Sequence, residues 1–95
     1  MAVSEKEFAV PKEFTPAEDG SLVVFLTENA ACAIRVDLRA LRRLDTMLVE
    51  LLLSAAATWA KRGLRFRVAG VSTAHEEVFM HLGIKANFLE RGVTA

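Results

Sequence analysis

The segment 46–62 has a helical period and lies between two runs with the two-residue alternation of a strand, 33–38 and 64–68. In Ala33-Ile34-Arg35-Val36-Asp37-Leu38, Ile34 and Val36 point with Cys32 to one face, and Ala33, Arg35 and Asp37 to the other. Leu64-Arg65-Phe66-Arg67-Val68 alternates in the same way. Between them, Ala, Leu, Met, Glu and Lys dominate, and these are strong helix formers. Leu48, Leu51, Leu52, Ala55 and Trp59 make one apolar face, while Glu50, Ser54, Thr58 and Lys61 or Arg62 recur as a polar stripe. A strand, a helix and a strand in this order form a crossover unit, so the two strands are expected to be parallel neighbours. Arg65 and Arg67 alternate with apolar residues, which predicts helices on one face of the sheet and solvent on the other.

The ends of the long helix are marked. Asp45 is a good N-cap residue, because its carboxylate can accept hydrogen bonds from free amides of the first turn. Lys61 and Arg62 suit the negative end of the helix, and Gly63 suits the left-handed position after it. Leu44-Asp45-Thr46-Met47 therefore places a hydroxyl, that of Thr46, at the positive end of a helix, where a phosphate is best tolerated. The loop 38–44 leading to it carries Arg39, Arg42 and Arg43.

Elsewhere the signals are shorter. Glu7-Phe8-Ala9-Val10 reads as a strand that Pro11 ends or confines to an edge. Thr15-Pro16-Ala17-Glu18 has the form of a capping box. The following Leu22-Val23-Val24-Phe25-Leu26 prefers a strand by propensity, and Asp19-Gly20 would equally serve as a hairpin turn. A helix over 16–28 is the favoured reading of this conflict. Thr73-Ala74-His75-Glu76 is a second capping box, opening a short helix that stops at Gly83. Phe88 and Leu89 read as a last strand or a docked tail. Residues 1–6 are expected to fray, and 1–95 to form one domain.

Composition narrows the function classes. Twelve basic and twelve acidic residues give a formal charge of +0, so the net basic character of nucleic-acid-binding domains is missing. A hydrophobic content of 53% is rich for so short a chain and suggests apolar surface reserved for a partner or a homodimer. The single cysteine, Cys32, cannot form an internal disulfide and reads as a small core residue in a reducing cytoplasm. The longest apolar stretch is interrupted by Glu50, Ser54 and Thr58, so no direct membrane insertion is expected. His75 and His81 lack ligand spacing and read as surface or partly buried residues, so neither a metal nor a cofactor is expected. Trp59 is expected in the core beneath the sheet. No nucleophile, base and orienter occur together, which argues against an enzyme.

Taken together, Val36-Asp37-Leu38, Leu41, Leu44-Asp45-Thr46, Val49, the Leu51-Leu52-Leu53-Ser54-Ala55-Ala56 helix, Arg62-Gly63, Phe66-Arg67-Val68, and Phe79 with Leu82-Gly83-Ile84 make the chain resemble the STAS domain family. That family includes the bacterial anti-sigma factor antagonists and the STAS subunit of a bacterial lipid-transport ABC complex. The similarity covers about the C-terminal two-thirds of the chain. It implies an α/β domain with a mixed sheet of about four strands, helices mainly on one face, and a helix at 16–28. It also implies that Thr46 matches the phosphorylated position of the antagonists. One departure stands out: where the family commonly has Asp, Ser or Thr, any residue, Gly, Leu, this chain has Leu48 in place of the glycine.

The resemblance implies a regulatory module that binds a protein through Arg42, Arg43, Asp45, Thr46, Met47, Glu50 and Ser54. The partner would be an anti-sigma factor with a serine/threonine kinase fold, or the ATPase of the lipid-transport complex. A phosphate on Thr46 would add about −1.5 to −2 charges and block docking through the cost of burying that charge. The bland alternatives are that Thr46 only helps to cap the helix and that the arginines are simply solvated. A reading of another class makes the surface around Asp37 and Asp45 a sensor for a small molecule or nucleotide.

Overall fold

Parallel strands cannot be joined by a tight turn, and each connection here carries a helix. The computed structural model describes residues 5–82. The elements alternate as β1 (Glu5–Ala9), α1 (Ser21–Glu28), β2 (Ala33–Asp37), α2 (Thr46–Lys61), β3 (Phe66–Ala69) and α3 (Thr73–His81). β2 is central and parallel to both neighbours, in the order β1-β2-β3. The registers pair Glu5 with Ala33 and Ala9 with Asp37 on one side, and Ile34 with Phe66 and Asp37 with Ala69 on the other. The expected mixed sheet of about four strands is thus a three-stranded parallel sheet among the described residues. The strand expected at Phe88 and Leu89 lies outside them.

Ile34, Val36, Leu38, Phe66 and Val68 enter one core with Leu22 and Leu26 of α1, Leu48, Val49, Leu52, Ala55 and Trp59 of α2, and Phe79 of α3. The helices therefore cover the face to which Ile34 and Val36 point. The opposite face carries charge. Arg67 Nη2 lies 2.8 Å from a Glu5 carboxylate oxygen, reaching past the small Ala33 of the strand between them, and Arg35 pairs with Glu7. No helix among the described residues is long and apolar enough to cross a membrane.

Several boundaries differ from expectation, one through strand pairing and the others through local turn and cap hydrogen bonds. β1 starts at Glu5 rather than Glu7, inside the stretch expected to fray, because pairing with β2 gives its backbone partners. α1 starts at Ser21 rather than residue 16. The amides of Glu18 and Asp19 both donate to the Thr15 carbonyl, at 3.0 and 2.9 Å, which makes a turn. The Thr15 hydroxyl meets the Glu18 carboxylate, at 3.3 Å, and not an orphan amide. Asp19 Oδ1 instead accepts from the Ser21 amide at 2.9 Å. The Ser21 hydroxyl and amide hold the Asp19 carboxyl below its ordinary pKa. That contribution is present above the unfolded pKa and is lost as pH falls through the folded one. Val23 and Val24 remain exposed on this helix.

The long helix ends as its residues dictate. Gly63, at φ +72°, donates to the Ala60 carbonyl at 3.1 Å, and the Leu64 amide donates to the Trp59 carbonyl at 3.0 Å. This is a Schellman end. It uses Leu64, so β3 begins at Phe66 rather than Leu64. Trp59 is buried, with Nε1 donating to the Cys32 carbonyl at 2.7 Å. Cys32 itself is half-buried. At α3 the cap is Ser72 rather than Thr73: its hydroxyl accepts from the His75 amide at 3.1 Å. The expected stop at Gly83 lies outside the described residues. His75 is buried, against the expectation of a surface or partly buried position, while His81 is exposed with Nδ1 2.9 Å from the Glu77 carbonyl oxygen.

Gly70 holds β3's exit against the end of β2. It sits at φ +69°, and a Cβ there would lie 2.5 Å from Asp37 Oδ1 and 2.7 Å from the Arg39 amide nitrogen. Gly70→Ala should therefore lower the unfolding free energy by roughly 2–4 kcal/mol, combining backbone strain with a clash. Gly20→Ser, which meets open space at an ordinary φ, should change it by less than about 1 kcal/mol. Urea denaturation of both variants tests the contrast.

Candidate docking site

The loops that follow parallel strands gather at one edge of the sheet, and here they meet the start of α2. Leaving β2, the Leu38 amide donates to the Ala69 carbonyl at 2.8 Å and the Val10 amide to the Asp37 carbonyl at 2.9 Å. Asp37 Oδ1 accepts from the Arg39 amide at 2.8 Å. Leu38, Leu41 and Leu44 are all buried. Three leucines at a spacing of three pin the loop down and leave Arg39, Arg42 and Arg43 exposed between them.

Asp45 then caps the helix. Its backbone is extended, at φ −81° and ψ 141°, and Oδ1 accepts from the Met47 amide at 2.6 Å. Leu44 before the cap and Val49 in the first turn share the core, the arrangement of a hydrophobic staple. Leu48 is fully buried. The residue that replaces the family's common glycine is therefore a core residue of the first turn.

Thr46 is the first helical residue and is exposed. The cap hydrogen bond belongs to Asp45, so capping does not use the Thr46 hydroxyl. Residues four apart on a helix share a face, and Thr46, Glu50 and Ser54 form an exposed stripe with Met47 beside it, 49% accessible. The residues singled out in the sequence thus meet along one helix start and its preceding loop. Met47 is not a core residue. Asp37 and Asp45 do not meet in one cleft: each carboxylate accepts from a backbone amide, and Asp37 is absent from the groove beside Asp45.

That groove has a second wall that sequence reasoning missed. Lys12, Glu13, Phe14 and Thr15 of the β1–α1 loop face Arg42, Arg43 and Asp45 of the β2–α2 loop. The Arg42 amide donates to the Lys12 carbonyl at 2.9 Å, tying the walls together. No local pattern links residues thirty positions apart. Only the pairing of β1 with β2 does.

A family model described as the Mlab, STAS domain matches residues 13–90. No curated protein matches. Among solved structures, a chain from the stressosome, a signal integration and transduction hub, is similar with a TM-score of 0.67 and 18% identity, over 90% of this chain and 77% of that one. At that identity the likeness establishes the fold.

The division of labour at the helix start has a measurable consequence. Asp45→Ala should destabilise the domain by about 0.5–2 kcal/mol through loss of the cap, whereas Thr46→Ala should stay within about 0.5 kcal/mol. Chemical denaturation distinguishes them, and equal losses would assign Thr46 a capping role.

Proposed function

The chain belongs to the STAS domain family, and from that premise we propose that it is a regulatory protein–protein interaction module. Its docking surface would be the α2 stripe Thr46, Met47, Glu50 and Ser54, with Arg42, Arg43 and Asp45 beside it. The supporting observation is the exposure of this stripe on a helix whose other side is anchored in the core. A Met side chain adapts to varied partner surfaces, and Met47 stands open at the head of the stripe.

In this reading Thr46 is the control point. A phosphate there would sit at a helix N-terminus, where the dipole favours anions, so the fold would persist. A partner closing over it would bury a charge, so docking would fail. The antagonist version has a kinase-fold anti-sigma factor as partner, released when Thr46 is modified. Leu48 in place of the family's common glycine supports a second version, in which the partner is the ATPase of a lipid-transport complex and Thr46 is a contact rather than a switch, or a divergent regulator.

The test is an affinity pull-down from the source organism with wild type, Thr46→Ala and Thr46→Glu, read by mass spectrometry. One kinase-fold or ATPase partner is expected with wild type and Ala and absent with Glu, and its identity selects the version. The same partners with all three variants would remove the docking surface from this helix.

A further inference from the structure

The groove between the β1–α1 and β2–α2 loops is lined by Lys12, Arg42 and Arg43 together with Glu13 and Asp45, and Phe14 is buried in its floor. Its three bases outnumber its two acids. Asp45 Oδ1 is engaged by the Met47 amide. Glu13 reaches only Arg42, at 3.9 Å, with the two side chains 81% and 64% exposed, and such a pair holds weakly and exchanges easily. Among the described residues no ion pair or hydrogen bond engages the Lys12 or Arg43 side chain.

The groove measures about 680 Å³, far more than a single ion occupies and in the range of ligand-binding clefts. It opens to the surface, which suits a segment laid across it. Its walls are held together by the Arg42–Lys12 backbone bond, so little ordering is needed when it is filled. Asp45 both lines the groove and starts α2, so the groove is continuous with the stripe proposed for docking.

We infer that this groove receives a carboxylate-rich stretch of the protein partner, with Lys12, Arg42 and Arg43 pairing its Asp or Glu side chains. Arginine matches a carboxylate with two parallel hydrogen bonds. This rests on the docking reading of α2 and adds to it the charge of the partner.

The test is an amide chemical-shift titration of the full chain with a hexaglutamate peptide, compared with sodium sulfate at equal charge concentration. The peptide should shift the amides of 12–15 and 42–45 in wild type and in Lys61→Glu, a charge reversal at the far end of α2. Affinity should fall at least about tenfold in Lys12→Glu/Arg43→Glu, and by less in Lys12→Gln/Arg43→Gln. Both double variants change exposed side chains, and their spectra report directly that the fold persists.

Three results would overturn the inference: no shift at the groove amides, an equal loss in Lys61→Glu, or sulfate binding as tightly as the peptide with the same shifts. The titration does not involve Thr46. A silent groove with a Thr46-dependent pull-down removes only this inference, and a responsive groove with a Thr46-independent pull-down removes only the α2 reading.

Discussion

Parallel pairing of β2 with both neighbours is the constraint from which the rest of the architecture follows. It excludes tight turns between successive strands and requires a long crossover in each connection, filled here by a helix. Both connections step in the same direction across the sheet, and right-handed crossovers then place α1 and α2 on the same face. The second consequence concerns the loops. The exits of β1, β2 and β3 all lie at one edge, so segments distant in sequence become neighbours there. The tie between Arg42 and Lys12 and the close approach of Gly70 to Asp37 and Arg39 are products of that geometry.

Within this frame, magnitudes separate what makes α2 form from what sets where it begins. Leu48, Val49 and Leu52 are completely buried, and each such side chain contributes roughly 1.5–3 kcal/mol. The Asp45 cap contributes about 1 kcal/mol. Burial therefore drives the helix, and the cap chooses its first residue. The same burial fixes the rotation of the helix and so keeps Thr46, Glu50 and Ser54 on one exposed line. The leucines at 38, 41 and 44 act in the same sense, holding the loop so that Arg42 and Arg43 stand beside the helix start.

The face of the sheet opposite the helices follows another logic. Glu5 with Arg67 and Glu7 with Arg35 lie across the strands, and exposed pairs of this kind contribute little to stability. Their value is in specification. Charges on β1, at the edge of the described sheet, discourage edge-to-edge association, and a one-residue slip of β1 would turn both Glu5 and Glu7 towards the core. The small Ala33, 6% exposed, permits the reach from Arg67 to Glu5.

Local signals were legible where the chemistry that decides an element lies within a few residues. The strand–helix–strand unit, the Asp45 cap, the left-handed Gly63 and the buried Trp59 all follow from patterns inside one segment, and they define the fold class. The same signals misled at Thr15-Pro16-Ala17-Glu18 and at Thr73, where more than one residue satisfies a capping pattern and the path of the chain out of the preceding loop selects among them. β1 began earlier than its own residues indicate because its hydrogen-bond partners belong to β2. The burial of His75, the groove joining Lys12 to Arg43, and the demand for glycine at position 70 depend on atoms brought close by strand pairing. By itself the sequence determined the strand–helix–strand unit of β2, α2 and β3 and where its helix is capped, since those outcomes are set by period, propensity and neighbouring side chains. Tertiary structure alone decided the order of the strands and the composition of the edge where the loops meet, since contacts between distant residues exist only once the sheet has formed.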